Sequence, residues 1–201
     1  MKSKSNQTDR RVIRTKREIL RALTELLEQK SIDEITVKEI TDLAGINRGT
    51  FYLHYIDKYD LLEKSVNKII VEMREISSDI LIKASEDNEP DQVKDEIVQS
   101  STKIFEYVQE NHRFIQSLLS VNSSYSFHHK FNGLLKDNLV EKIAHQNMKV
   151  PTEYLVMASS YAYEGLIHAW LESDMEESPE QMGEYGFEII YRLVHGVMNG
   201  H

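Results

Sequence analysis

The chain has 201 residues, of which 40% are hydrophobic and 28% charged, an ordinary balance for a globular protein with one or two cores. It contains no cysteine, which excludes disulfide bonds and thiolate metal sites and fits a reducing cytoplasm. No apolar run approaches the ~18 residues that a membrane-spanning helix needs, and the polar first residues do not resemble a secretory signal. We therefore expect a cytoplasmic protein without a membrane segment.

The net charge of −9 is unevenly distributed along the chain. Residues 1–58 hold 12 Lys and Arg against 9 Asp and Glu, whereas residues 59–201 hold 12 against 24. Within residues 1–21 the balance is 8 against 2. Because the local field governs attraction to phosphates, the N-terminal part can bind nucleic acid although the whole chain is acidic.

Apolar residues recur at helical spacing through most of the chain, and no stretch alternates for long enough to indicate a strand. We predict an all-α fold of about nine helices. Their approximate ranges are 9–29, 36–44, 47–54, 58–84, 90–111, 112–119, 127–146, 151–173 and 178–198.

The segment 36–58 predicts two short helices joined by a glycine turn. Thr36 is a suitable N-cap, with Glu39 at the capping-box position. Gly45 can adopt the left-handed conformation that ends the first helix, and Asn47 can cap the second. This arrangement is typical of a helix-turn-helix, whose second helix enters a DNA major groove.

The surface of the second helix supports this interpretation, because it carries hydrogen-bonding side chains and no acidic one. Arg48 and Thr50 are suited to base edges, whereas Tyr52, His54 and Lys58 are suited to phosphates. The predicted DNA-binding residues are Thr36, Asn47, Arg48, Gly49, Thr50, Tyr52, His54 and Lys58.

The residues Gly45–Tyr55 (GINRGTFYLHY), followed by Asp57–Leu62 (DKYDLL), resemble the N-terminal domain of the TetR family of bacterial transcription regulators. The resemblance covers roughly residues 12–65, and Tyr55 stands where members commonly have Phe. It implies a three-helix DNA-binding domain over residues 1–58 and a helical effector-binding and dimerisation domain over residues 59–201. It also implies a homodimer on a palindromic double-stranded operator, a small-molecule effector that releases a repressor from DNA, and no cofactor.

The last two predicted helices are apolar on two faces, which is typical of helices buried on two sides. Small residues recur there at steps of three and four, the spacing that suits helix bundles. Together with the resemblance, this pattern predicts a dimer interface; the alternative is that both helices form the core of a monomer. The predicted interface residues are Ala158, Ala162, Gly165, Met182, Gly186, Ile189 and Leu193.

An effector pocket is implied by the resemblance alone. Aromatic and aliphatic residues of the C-terminal domain could line it, although the same residues also suit a plain core. The predicted pocket residues are Phe105, Val108, Phe114, Leu118, Phe131, Leu135 and Tyr161.

The sequence carries no catalytic signature and no metal-ligand spacing. His128 and His129 are adjacent and project in different directions on a helix, and no phosphate-binding loop or nucleophile elbow is present. We predict a transcriptional regulator that is not an enzyme. The alternatives are an activator, a regulator controlled by a protein partner, or a helical binding module or enzyme that keeps the motif as a structural corner.

Overall fold

The computed structural model describes residues 3–81, 90–119, 129–131, 133 and 149–196. These residues form eight α-helices and one 3-10 helix, with no strand among them, which confirms the predicted all-α fold. The helices are α1 (Ser3–Leu27), the 3-10 helix (Ile32–Glu34), α2 (Val37–Ala44), α3 (Arg48–Tyr52), α4 (Lys58–Leu81), α5 (Pro90–Glu110), α6 (His112–Leu119), α7 (Thr152–Glu172) and α8 (Pro179–His195). The predicted helix over 127–146 lies largely outside the described residues, although 129–131 and 133 are helical.

The described residues divide into two compact units. The N-terminal unit extends to Lys68, and the C-terminal unit begins at Ile69. Helix α4 belongs to both, because it runs without interruption from Lys58 to Leu81. The predicted domain boundary after residue 58 stays a prediction.

The N-terminal unit has a small core built from α1, α2, α3 and the start of α4. Helix α1 packs against α2, which in turn contacts α3. The largest fully buried side chains of this core are Ile19, Leu23, Ile35, Ile40, Phe51 and Leu61. Each helix of the helix-turn-helix thus contributes a side chain that is removed from water and holds it in place.

The C-terminal unit is organised around the contact of α8 with α5 and α7. Phe105 of α5 is fully buried, with its ring perpendicular to Trp170 at 5.2 Å and tilted against Tyr163 at 5.6 Å. The hydroxyl groups of Tyr163 and Ser101 share a 2.8 Å hydrogen bond, which satisfies both polar groups inside the unit. Burial raises the pKa of Tyr163.

Small residues allow α8 to approach α5 closely. A Cβ at Gly186 would lie 2.8 Å from Oγ of Ser101 and 3.1 Å from the Tyr163 ring, and Met182 is only 3% exposed. The prediction that Met182 and Gly186 lie between subunits is therefore wrong, because both are buried inside a single chain. The small-residue pattern on α8 reports packing within the subunit.

We expect Gly183→Ala to lower the free energy of unfolding by about 1–3 kcal/mol. Its Cβ would lie 2.9 Å from the backbone nitrogen of Thr102, which cannot move without shifting α5. Glu184→Ala, at the neighbouring exposed position of α8, is the matched control and should change stability by less than ~0.5 kcal/mol. Chemical denaturation at one protein concentration measures both, and equal loss in the two variants would contradict the close contact of α8 with α5.

Candidate DNA-binding surface

The start of α2 is fixed by a reciprocal capping box. The hydroxyl of Thr36 accepts a 3.2 Å hydrogen bond from the Glu39 backbone nitrogen, and the Glu39 carboxylate accepts one of 2.9 Å from the Thr36 nitrogen. Lys30, just after α1, pairs with the same carboxylate. The hydrogen bonds from Lys30 and Thr36 lower the pKa of Glu39 to about 2, so this residue holds the end of α1 against the start of α2 at neutral pH.

The turn between α2 and α3 depends on one glycine. Gly45 has φ 66° and ψ 34°, the left-handed conformation expected of a residue that ends a helix. Its nitrogen donates to the Asp42 carbonyl, and the nitrogen of the next residue donates to Thr41 at 3.0 Å. Arg21 of α1 donates to the carbonyl of Leu43 at 3.0 Å, which joins α1 to the last turn of α2 just before Gly45.

Helix α3 is only five residues long and is held by a cap and a buried ring. The side-chain oxygen of Asn47 accepts a 2.7 Å hydrogen bond from the Thr50 backbone nitrogen, which confirms the predicted cap. Phe51 is fully buried, and its ring lies 5.7 Å from that of Tyr55. The helix is shorter than predicted, because the chain turns after Tyr52 and the His54 nitrogen donates back to the Phe51 carbonyl.

Most of the predicted DNA-binding residues lie on the solvent side of this short helix. Arg48 and Gly49 are exposed, Tyr52 is 56% exposed, and Thr50 and His54 are partly exposed. Two of the remaining predicted residues already have local partners. The hydroxyl of Thr36 donates to Glu39 at 2.8 Å, and the oxygen of Asn47 caps α3.

Two exposed apolar residues beside this surface were missed by the sequence analysis. Leu53 is 80% exposed and lies between Tyr52 and His54, whereas Ile56 is 78% exposed and lies two residues before Lys58. Periodicity offered no signal for them, since an apolar side chain near a helix end normally indicates the core. Both residues follow the last residue of α3, and an exposed apolar group beside a helix that enters a major groove can contact the thymine methyl group.

Lys58 has a structural role that the sequence analysis did not foresee. Its ammonium group donates to the carbonyl oxygens of Asp33 at 2.6 Å and Ile35 at 2.7 Å, and lies 5.0 Å from the centre of the Tyr59 ring. The Tyr59 hydroxyl donates to the Asp33 carboxylate at 2.8 Å. We call these contacts the α4 clamp, since they fix the first turn of α4 to the segment that precedes α2.

The predicted pocket residues are placed differently from one another. Five are buried in the C-terminal unit, and they are Phe105, Val108, Phe114, Leu118 and Phe131. Leu135 lies outside the described residues. Tyr161 is 55% exposed, so its assignment to a pocket interior is corrected, and Tyr163 is the tyrosine of α7 that packs against Phe105. The recurrence of residues at steps of three and four did not reveal which of the two tyrosines faces α5.

Helix α7 exposes an apolar stripe on its outer face. Tyr154, Met157 and Tyr161 are 63%, 58% and 55% exposed, and the small residues Ala158 and Gly165 are exposed on the same helix. On α8, Ile189 is 40% exposed and Leu193 is partly exposed. Positions 154, 157, 158, 161 and 165 recur at steps of three and four, so they share one helix face.

The part of the chain that the structure describes was searched for a metal site and for a membrane-spanning helix. No group of three metal-ligating side chains comes together there. None of the described helices is long and apolar enough to cross a membrane.

We expect Lys58→Met to lower the free energy of unfolding by about 1–3 kcal/mol, because it removes a charged donor from two backbone carbonyls. Lys38→Met, at an exposed lysine of α2, is the matched control and should change stability by less than ~0.5 kcal/mol. Denaturant titration of the full chain measures both. A Lys58→Met variant as stable as the parent would contradict the α4 clamp.

Comparison with known proteins agrees with this geometry. A family model described as "Bacterial regulatory proteins, tetR family" matches residues 19–64, and a TetR model described as "Transcriptional regulator C-terminal region" matches residues 95–192. The chain is 26% identical over 176 residues to the uncharacterized HTH-type transcriptional regulator YxbF of Bacillus subtilis (strain 168). That match covers 86% of this chain and 44% of YxbF, so the chain spans less than half the length of this relative.

Solved structures show the same fold. A TetR transcriptional regulator from Streptococcus agalactiae 2603V aligns with TM-score 0.60 and 20% identity, over 92% of this chain and 98% of that one. The regulator FadR from Bacillus subtilis, in complex with stearoyl-CoA, aligns with TM-score 0.59 and 16% identity, over 90% and 98%. The two family models together span both structural units, and the helix-turn-helix geometry described above lies inside the first. The chain belongs to the TetR family of transcriptional regulators.

Proposed function

We propose that this regulator is a repressor that binds a double-stranded, palindromic DNA operator as a homodimer and is released by a small-molecule effector. Residues 1–58 form the DNA-binding part in this proposal, and residues 59–201 carry dimerisation and effector binding. The observation that carries it is the solvent face of α3. This face presents Arg48, Thr50 and Tyr52 and no acidic side chain, and His54 follows two residues after the helix. Asn47 fixes the start of the helix.

The division of roles follows from where each side chain emerges. Arg48 leaves the first turn of α3 and can donate two hydrogen bonds to a guanine edge. Tyr52 and His54 lie at the far end, where a hydroxyl or a ring nitrogen can reach a phosphate. Leu53, exposed between them, can meet a thymine methyl group. Because Gly49 has no side chain, the backbone of α3 can approach the DNA closely at this position.

Helix α4 supplies a physical route for effector control, because hydrogen bonds attach it to other residues in each of the two units. Within the N-terminal unit, Lys58 and Tyr59 hold its first turn to the residues before α2. Within the C-terminal unit, Tyr107 of α5 donates to Glu72 of α4 at 2.6 Å. A shift of α5 on effector binding would therefore displace α4 and, through the α4 clamp, the helix-turn-helix.

The exposed stripe on α7 supports the homodimer in this proposal. Ala158, Ala162 and Gly165 let a second copy approach closely, while Tyr154, Met157 and Tyr161 offer apolar area to bury. Ile189 and Leu193 of α8 extend the same proposed interface. A dimer must present its two α3 helices about one DNA turn apart, ~34 Å or a multiple of it, so a small movement of α4 can abolish binding.

The effector is proposed to be a small and mainly apolar molecule, because the side chains buried near Phe105 are aromatic and aliphatic. FadR, similar in fold, was solved with stearoyl-CoA, which shows what that protein binds. An effector that releases this protein from DNA must bind the released form more tightly. The operator must then weaken effector binding by the same factor, since the coupling is reciprocal.

We expect Arg48→Met to relax sequence preference at one base pair of each half-site, at a cost of ~1–3 kcal/mol for the preferred sequence. Selection from random duplexes, followed by affinity measurement on the selected operator, provides the test. Tyr52→Phe is the contrasting variant. It should weaken binding to all sequences alike, because a phosphate contact carries no base information.

Unchanged preference in Arg48→Met would refute the base-reading role of Arg48. Failure of the parent to select any sequence would refute the proposed function itself. Transcription from a promoter that carries the selected operator then separates the two regulatory outcomes: a fall with added protein identifies a repressor and a rise identifies an activator.

We expect Met157→Glu together with Tyr161→Glu to convert a dimer into a monomer, because burying two carboxylates against a second copy costs far more than leaving them in water. Sedimentation at micromolar concentration measures the change, and operator affinity should fall with it. Gln109→Glu, at an exposed position of α5, is the control for added charge and should remain dimeric. A parent protein that sediments as a monomer would remove the basis of this interface.

A further inference from the structure

The first half of α1 carries a row of arginines on one face. Arg10, Arg14 and Arg17 follow each other at steps of four and three residues, which places them on one side of the helix. All three are exposed to solvent. Arg21 continues the row at a further step of four. At ~1.5 Å per residue, the row from Arg10 to Arg21 extends about 16 Å along the helix.

Arg21 shows which way this row faces. It donates to the carbonyl of Leu43, in the last turn of α2, and it also binds the carboxylates of Glu18 and Glu25 at 3.1 and 3.0 Å. The row therefore lies on the side of α1 from which a side chain reaches the end of α2.

The arginines before Arg21 are much less neutralised. Arg17 lies 3.5 Å from Glu18 and its side chain is 73% exposed. Arg10 and Arg14 have no ion pair within the part of the chain that the structure describes. Their charge is available to a partner.

This part of α1 contributes little to the core. Among residues 10–27, for which burial is described, the first buried residue is Ile19, whereas Ile13 is 66% exposed although it is apolar. The match to the DNA-binding family model also begins at residue 19. The segment 3–17 thus extends beyond the unit that the family model describes, and its exposed cationic row is not explained by packing.

We propose that this segment, which we call the basic arm, is a second DNA-contacting element. It binds the phosphates that flank the bases read by α3, through Arg10, Arg14 and Arg17. The inference rests on the proposed function and adds to it an extended footprint. DNA is the partner that the charge pattern fits, since a duplex presents one negative charge per ~1.7 Å of its axis to a row of cations. The arm contributes affinity and salt dependence, because phosphate contacts carry no sequence information.

The test compares a double variant, Arg10→Gln with Arg14→Gln in the same chain, with the parent protein. We call this double variant the arm variant. Glutamine preserves helix propensity, so the arm remains helical, and circular dichroism verifies this. The control combines Lys103→Gln with Arg192→Gln, which removes the same charge from exposed positions of α5 and α8. Each protein is titrated with two duplexes that carry the selected operator. One duplex ends at the bases that α3 reads, and the other extends beyond them on both sides.

For the flanked duplex, we expect the slope of log affinity against log salt to become shallower by about 3.6 in the arm variant, because the proposed dimer loses four phosphate contacts at ~0.9 each. The deficit relative to the parent should therefore shrink roughly a hundredfold between 50 and 200 mM salt. On the trimmed duplex, arm variant and parent should bind alike, and the control should match the parent on both.

Three results would overturn the inference: an unchanged salt slope on the flanked duplex, an equal loss in the control variant, or an altered base preference in the arm variant. The proposed function would still hold after any of these results if the parent binds the operator with a base preference that depends on Arg48. A parent that binds no duplex overturns both proposals.

Discussion

The structure depends on holding two very short helices in a fixed relation. Helices of eight and five residues are too short to be stable alone, because nucleation costs more than so few hydrogen bonds return. The Thr36–Glu39 box, the left-handed Gly45 and the Asn47 cap satisfy the exposed backbone groups at their ends. Burial of Ile40 and Phe51 then anchors each helix from beneath. The solvent face of α3 is free for recognition because stability is supplied from the other side.

Lys58 and Tyr59 fix the helix that follows this pair. Caps fix the ends of α2 and α3, whereas the α4 clamp fixes the position of the next helix against them. A lysine held by two carbonyls is a strong local constraint, since removal of its charge leaves both acceptors to find water. In the C-terminal unit, the contact of Tyr107 with Glu72 attaches α4 to α5 in a comparable way. Helix α4 is thus tied at two places by hydrogen bonds with charged partners.

In the C-terminal unit, glycines of two helices have different surroundings. Gly183 and Gly186 on α8 admit the backbone and side chains of α5, which makes them part of the subunit core. Gly165 on α7 meets no atom of its own chain at its Cβ position, and it lies four residues from exposed Tyr161.

Charge is divided along the chain. Residues 59–201 are acidic, whereas the first half of α1 carries the basic row, so the attraction for phosphate is confined to the N-terminal part of the chain.

The sequence by itself determined the helical fold, both caps of the helix-turn-helix, the turn at Gly45 and the family, because these signals lie within three or four residues of one another. It did not determine the end of α3 at Tyr52, the role of Lys58, or which tyrosine of α7 points inward. Lys58 and its acceptor Ile35 are 23 residues apart, and Tyr163 and its partner Ser101 are 62 residues apart. Only the tertiary structure decides such contacts, since an apolar or small residue at helical spacing fits the core of one chain as well as the interface between two.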